Sequence, residues 1–267
     1  MRKLFLMGAA AVFATSANAT DWTGFSGTLT GGYNYSDTRG VASNAYNIDG
    51  AANYAIPDSH LNVQGIVDYS ENKTQSTPAD KWTSGGAVTW RDSDFAVGFN
   101  GDYSTTNLYR QNLDYGTYGA FGEWYGLDKM GFNPITLRLR GGGISGSIAG
   151  LNRDGGYYGG GATYYVLPQL SLSADASYNT LSSLHWSTFE VGAEALPFES
   201  LPVSISTSYV HDNVRNFGQS THSDGLMVRL AWHMGDGNSL VDFDRNGPLN
   251  ARTAELPLDA LSVVNHP

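Results

Sequence analysis

The feature that most constrains the fold is an alternation of polar and apolar residues that recurs along the chain. In the segment Leu170–Asn179, leucine, alanine and tyrosine occupy every second position, with serine or aspartate between them. Successive side chains of a β-strand point to opposite faces, so this segment predicts a strand with one apolar and one polar face. No helical periodicity of 3.6 residues competes with this pattern in the same region.

Twelve such segments follow one another, each about nine to twelve residues long, and Asn, Asp, Gly, Ser and Pro dominate the links between them. Several links are short, whereas six others run to about eight to thirteen polar residues. We therefore expect short turns at one end of the sheet and longer loops at the other. The strand register is weakest in the sixth segment, about residues 114–124, and in the eighth, which carries tyrosines on both faces.

The apolar strand faces need a covering, and two architectures provide one. A secreted β-sandwich or solenoid packs them together, whereas a transmembrane barrel turns them to lipid and closes its sheet. The strand length matches a bilayer, and the charged residues of the clearer strands all fall on the polar face. Aromatic residues near strand ends are typical of the two membrane interfaces. The predicted aromatic girdle comprises Trp82, Trp90, Phe95, Tyr103, Trp124, Tyr178, Tyr209 and Trp232. We predict an all-β transmembrane antiparallel up-and-down barrel of about twelve strands.

The beginning of the chain is typical of a secretory signal peptide. Two basic residues precede a short apolar run, and Ala17-Asn18-Ala19 forms a small-residue cleavage site. The expected organisation is a signal peptide over residues 1–19, a barrel over 20–234 and a C-terminal tail over 235–267. The chain has no cysteine and a formal net charge of −10. This composition excludes disulfides and thiolate metal sites, and it argues against nucleic acid as a partner.

Both ends of the predicted barrel resemble those of porin-like outer-membrane barrels of Gram-negative bacteria. The resemblance rests on "DWTGFSGTLTGGYNY" near the mature start and on "GLMVRLAW" in the last strand, where Gly225, Val228, Leu230 and Trp232 match the assembly signal. It implies the lipid bilayer, lipopolysaccharide and the outer-membrane barrel assembly machinery as partners. The even strand number predicts both termini in the periplasm. The chain departs from the pattern by continuing beyond the last strand into the tail.

The polar strand faces carry charged residues that we expect inside the barrel. These pore-lining candidates are Arg138, Arg140, Asp175, Glu190, Glu194, Glu123 and Arg229. Arginines on one wall and carboxylates on another would produce a transverse field that selects polar solutes. Alternatively, the charges pair with one another and fill the lumen. Hairpin pairing places Asp175 opposite Glu190 and Glu123 beside Arg138. Glycines next to tyrosines, as in "YYGGGATYY", favour ring packing rather than phosphate binding.

The tail contains a weak calcium-loop pattern. Asp242, Asp244 and Asn246 fit its first half, but Thr253 stands where the pattern needs a carboxylate. The alternative is a solvated acidic turn. The tail could hang in the periplasm, contact the cell wall or enter the lumen as a plug, and the sequence favours none of these.

The function expected from this pattern is passive diffusion of small hydrophilic solutes or ions through the outer membrane, without a cofactor and without enzymatic activity. The alternative is a non-conducting structural or surface barrel whose lumen is filled or plugged. A third hypothesis is a lipid-hydrolysing barrel enzyme, for which His185, His211 and His222 near the outer loops are the candidate bases.

Overall fold

Twelve antiparallel strands close into a barrel in the computed structural model. Each strand pairs with its neighbours in the chain, and β1 pairs with β12. The structure describes residues 24–74, 77–108, 111–127, 131, 133–148, 151–198, 201–216, 218–250 and 253–260. The strands are β1 Phe25–Thr38, β2 Val41–Ala55, β3 Leu61–Thr74, β4 Thr77–Arg91, β5 Phe95–Leu108, β6 Gln111–Gly126, β7 Ile135–Ile148, β8 Leu151–Leu167, β9 Leu170–Leu181, β10 Leu184–Ala195, β11 Val203–Asn216 and β12 Gln219–Met234. This confirms the predicted twelve-strand up-and-down barrel.

Helix α1, over Leu240–Asn246, follows β12, and residues 258–260 are also helical. No helix within the described part of the chain is both long enough and apolar enough to cross a membrane. The predicted signal peptide, residues 1–19, lies outside the described residues.

Ten of the twelve strands are longer than the predicted nine to twelve residues, with 17 in β8, whereas β9 and β10 have 12. We call the end at which β1 begins and β12 ends the lower rim, and the opposite end the upper rim. Only two residues separate the paired strands at each upper link, so the expectation of long loops there is wrong. The polar segments that the sequence analysis assigned to these loops belong to the strands instead, because their backbone groups still pair with those of the neighbouring strand. At the first upper turn, Arg39 and Gly40 have φ values of 53° and 80°, as a two-residue hairpin turn requires.

The outward face forms an apolar band between two rings of aromatic side chains. The upper ring contains Tyr33, Tyr46, Tyr69, Trp82, Tyr103, Tyr118, Tyr158, Tyr178 and Tyr209, and the lower ring contains Tyr54, Trp90, Phe95, Trp124, Tyr164 and Trp232. All eight residues of the predicted girdle lie in these rings. Among the described residues, no Asp, Glu, Lys or Arg points outward between the rings. Outward charges such as the Glu71–Lys73 pair lie above the upper ring.

The eighth strand carries tyrosines on both faces because its neighbours leave room for them. Tyr157 points inward and is 3% exposed, whereas Tyr158 points outward and is 64% exposed. A Cβ atom on Gly119 would lie 2.3 Å from Tyr157 Oη, and one on Gly143 would lie 2.5 Å from the Tyr118 ring. Glycine is therefore required where these rings pack, as the sequence pattern predicts.

The chain returns into the barrel after β12. We call residues 235–250 and 253–260 the lumen segment. Ser26, near the lower rim, donates to the Asn246 carbonyl at 3.0 Å. Ser223, near the upper rim, donates to Asp259 at 2.6 Å. The lumen segment therefore runs along the barrel interior, and the described chain begins at the lower rim and ends in the upper lumen.

Candidate functional site

Helix α1 anchors the lumen segment near the lower rim. Its first turn is capped by Ser239, whose hydroxyl accepts from the Asp242 backbone N–H at 3.1 Å. Leu240 and Phe243 are buried with Tyr165 and Leu196 of the surrounding wall. The imidazole of His233 stacks on the Phe243 ring, with centroids 4.5 Å apart. Apolar packing and a capped terminus therefore fix the orientation of this short helix.

Arg138 links the barrel wall to the lumen segment. Its guanidinium lies 2.5 Å from Asp244 of α1 and 3.2 Å from Glu123 of the neighbouring strand. Thr136 donates a further hydrogen bond of 2.7 Å to Asp244. Burial raises the pKa of Asp244, but the charge of Arg138 and the hydrogen bonds from Tyr165 and Thr136 outweigh it, so the pKa lies below its usual range. Asp244 is therefore ionised at neutral pH and holds α1 against the wall.

Two further arginines neutralise the carboxylates that the sequence places side by side. Asp175 lies directly opposite Glu190 in the β9–β10 pair, as predicted. Arg140 makes a bidentate contact with Asp175, at 2.5 and 2.8 Å, whereas Arg229 lies 3.1 Å from Glu190. Each carboxylate therefore has its own cation. This arrangement corresponds to the alternative in which the charged residues pair with one another inside the lumen, and not to arginines and carboxylates on separate walls.

These charged groups surround a cavity of about 220 Å³ beside α1, which we call the charged vestibule. Five of the seven predicted pore-lining residues line it, namely Arg138, Asp175, Glu190, Glu194 and Arg229. Serines of β9 and β11 complete its wall. Of the other two candidates, Arg140 contacts Asp175 at the edge and Glu123 lies behind Arg138. The vestibule is the polar space that the lumen segment leaves open.

The upper half of the lumen has an apolar wall, which the sequence analysis missed. We call this wall the apolar socket, and it consists of Ala79, Leu113, Tyr115, Ile144, Tyr157, Leu181, Leu184, Trp186 and Val214. The lumen segment fills it with Ala254, Leu256, Leu258 and Ala260. Apolar residues on the inward face near the upper strand ends were the available signal, because an inward apolar surface requires an apolar partner inside the barrel.

Side chains of the wall recognise the backbone of the lumen segment. Gln64 exchanges two hydrogen bonds of 2.9 Å with the backbone N–H and carbonyl of Leu249. Tyr115 donates to the Ala254 carbonyl at 3.3 Å, and Trp186 Nε1 donates to the Glu255 carbonyl at 2.6 Å. Otherwise unpaired backbone groups are thereby satisfied inside the barrel. The lumen segment thus has specific partners at several depths.

Comparisons with known proteins give a match in structure only. No protein family matches the sequence, and no curated protein matches it. The structure is similar to the COG4313 outer membrane channel from Pseudomonas putida F1, with a TM-score of 0.53, 11% identity, and coverage of 79% of this chain and 95% of that chain. It is also similar to the beta domain of the Bordetella autotransporter Brka, with a TM-score of 0.52, 7% identity, and coverage of 78% and 99%.

The chain has the fold of an outer-membrane β-barrel. At identities this low, the similarity establishes the fold alone. The geometry of the lumen must therefore supply the functional argument.

The calcium interpretation of the tail does not fit the structure. Asp242 and Asp244 belong to α1 instead of a loop. Asp242 accepts from the Ser239 hydroxyl at 2.7 Å, and Asp244 contacts Arg138. Within the described residues, no group of three or more His, Cys, Asp or Glu side chains could hold a metal ion. The helical backbone and these partners contradict a calcium loop.

The candidate histidines of the hydrolase hypothesis lie near the upper rim of the barrel. His211 contacts Asp224 at 2.8 Å and stacks near His222, and His185 contacts the Tyr178 hydroxyl at 3.4 Å.

A serine–histidine contact occurs instead at the lower end of the lumen. Ser204 Oγ is 2.9 Å from His233 Nε2, and Glu194 lies 3.7 Å from the same nitrogen. A catalytic triad requires the acid on the other ring nitrogen, so this contact does not have triad geometry.

Proposed function

We propose that this chain is an outer-membrane channel for small hydrophilic solutes or ions that is held closed by its own lumen segment. The observation that carries the proposal is the division of the lumen into a charged vestibule and an apolar socket occupied by the chain itself. Most contacts of the described lumen segment with the wall involve side chains, and one backbone hydrogen bond of 2.8 Å joins the Leu240 N–H to the Pro168 carbonyl. Its described residues make no strand pairing with the barrel. It can therefore leave without breaking the barrel.

The distribution of polar surface supports an orientation with the lower rim in the periplasm. The strands end close to the lower aromatic ring but extend about three to seven residues beyond the upper ring. Protruding polar hairpins are typical of the outer side of such barrels, where longer connections project into water. Lipid and lipopolysaccharide remain the expected partners of the outward face.

Single-channel conductance in planar bilayers tests the proposal with the full mature chain. Replacing Leu256→Ser and Leu258→Ser together weakens packing in the apolar socket, so we expect long-lived conductance steps where the wild type is mostly silent. Leu256→Met with Leu258→Met is the matched control, because it conserves apolar volume and should stay closed.

A second pair of substitutions tests closure directly. The chain has no cysteine, and Ser223 and Asp259 have side-chain oxygens 2.6 Å apart. Ser223→Cys with Asp259→Cys, added to the two serine substitutions, should abolish conductance when oxidised and restore it when reduced. A folded serine variant that never conducts would contradict the channel.

The second candidate function is a non-conducting structural or surface barrel. The observation that favours it is the pairing of the vestibule arginines with carboxylates, together with the filled apolar socket. It predicts that bilayers stay silent with every variant described above, although each variant folds. The same measurements therefore separate the two functions.

A further inference from the structure

The apolar socket is unexpected in a passage for hydrophilic solutes. Apolar constrictions expel water and oppose the movement of ions and sugars. Here seven of the twelve strands contribute inward apolar side chains to the upper lumen, and Trp186, Ile144 and Leu181 are each 1% exposed. Such a surface is complementary to an apolar ligand and becomes wet whenever the lumen segment leaves.

The socket also carries hydrogen-bond donors placed for a peptide backbone. Trp186 and Tyr115 donate to two successive carbonyl oxygens, those of Glu255 and Ala254. When the lumen segment leaves, both donors lose these carbonyl partners, and water must replace them within a largely apolar pocket. Main-chain hydrogen bonds combined with pockets for aliphatic side chains are a general mode of peptide recognition.

We infer that the apolar socket is a binding site for short apolar peptides, with the lumen segment as its resident occupant. The inference deepens the proposed function, because it names the chemical class of ligand that the closed channel recognises. The contacts to Ala254 and Glu255 use backbone carbonyls, and those to Leu256 and Leu258 use aliphatic packing. An unattached peptide with the same groups can make the same contacts.

Covalent attachment favours the resident segment over a free peptide. An attached ligand acts at an effective concentration in the millimolar range for a short linker. A peptide added at micromolar concentration therefore competes poorly with the wild-type segment. Weakening the resident occupant in the full chain removes this competition and exposes the socket.

The test measures binding of a fluorescein-labelled hexapeptide, Ala-Glu-Leu-Pro-Leu-Asp, by fluorescence anisotropy in detergent. This peptide reproduces residues 254–259. We expect saturable binding to the full chain carrying Leu256→Ser and Leu258→Ser, and at least about tenfold weaker binding to the wild type. The control peptide has both leucines replaced by serine and should not bind the socket.

A further substitution locates the bound peptide. Trp186→Phe, added to the two serine substitutions, keeps most of the apolar volume but removes the N–H donor, so affinity should fall about fivefold. If the serine variant does not migrate as a folded barrel, Leu256→Ala with Leu258→Ala is used instead, because it weakens the packing of the lumen segment in the socket to a smaller extent.

Two results would overturn the inference: equal binding of the two peptides, or equal binding to wild-type and released chains. Because the assay needs no ion flow, its outcome is separable from that of the conductance test. Peptide binding without conductance would support the peptide site and contradict the channel function. Conductance without peptide binding would support the channel function and contradict the peptide site.

Discussion

Arg138 is the residue that joins the lumen segment to the wall most directly. It shares its guanidinium between Glu123 of β6 and Asp244 of α1, and its side chain is only 12% exposed. Removing one partner from a buried ion pair leaves a poorly solvated charge behind. The ion pairs that Arg138 makes with Asp244 and Glu123 should therefore control whether α1 stays docked against the wall.

We predict that Asp244→Asn weakens docking of the lumen segment by about 3 kcal/mol, because Arg138 loses one of its two carboxylates. The measurable result is a higher open fraction in planar bilayers. Asp236→Asn is the control, since Asp236 is an exposed residue of the same segment. An unchanged open fraction in Asp244→Asn would contradict a role for this ion pair in closure.

The pH dependence of the open fraction, compared between the wild type and Asp244→Asn, provides a further test of this ion pair. Asp244 has a lowered pKa in the docked state, because Arg138 and hydrogen bonds outweigh the opposing effect of burial. Its contribution is therefore fully present above the ordinary carboxyl pKa of about 4, and it is lost as the pH falls through the lowered value. The wild type should show this acid-induced opening, whereas Asp244→Asn should lack it.

At the scale of strands, the packing of β6, β7 and β8 depends on glycines, which have no side chain. Gly119 faces Tyr157 across the inside of the barrel, and an added Cβ would also lie 2.5 Å from the Gly141 carbonyl oxygen. The backbone atom cannot move aside as easily as the end of a flexible side chain.

We predict that Gly119→Ala destabilises the barrel by about 1–3 kcal/mol through overpacking. Urea titration of the refolded protein, followed by the mobility shift of the folded barrel on gels, measures this effect. Gly65→Ala is the matched control, because no atom lies within 4 Å of the Cβ position at Gly65. Equal midpoints for the two variants would show that β6 and β8 adjust without cost.

The existence and orientation of these strands follow from sequence, because alternation is a local property. In β6, Thr117 and Glu123 are buried inside and Tyr118 lies outside, as predicted. The upper strand ends do not follow in the same way. Once both faces carry polar residues, as at Asn72 and Lys73, alternation no longer distinguishes a paired strand from a loop.

At the scale of the whole molecule, the outward band determines the solvent that surrounds the barrel. Leu139 lies in this band and is 74% exposed. We predict that Leu139→Arg lowers the stability of the membrane-inserted barrel by about 2–4 kcal/mol, because a charge must enter hydrocarbon. Folding into liposomes measures the loss, with Gln219→Arg at the exposed upper rim as the control. Equal folding yields would argue against a lipid-facing band.

The candidate site is only partly predictable at this scale. The inward position of Arg138 and Asp175 follows from excluding charge on the lipid face. The contact between Arg138 and Asp244 joins residues 106 positions apart. Such a contact depends on how the chain returns after β12. The apolar socket was missed because its apolar residues lie on the inward face, which the alternation predicts to be polar. Their burial depends on the lumen segment, whose position inside the barrel the strand pattern does not predict.

The apolar socket has a consequence for biogenesis. Its surface is assembled from β4 and from β6 to β11, so a sheet that lacks any of these strands cannot form it. The lumen segment can bury Leu256 and Leu258 only after the barrel wall is complete. We expect proteases to cleave this segment in unfinished molecules and to spare it in finished ones, so its burial would report that assembly is complete.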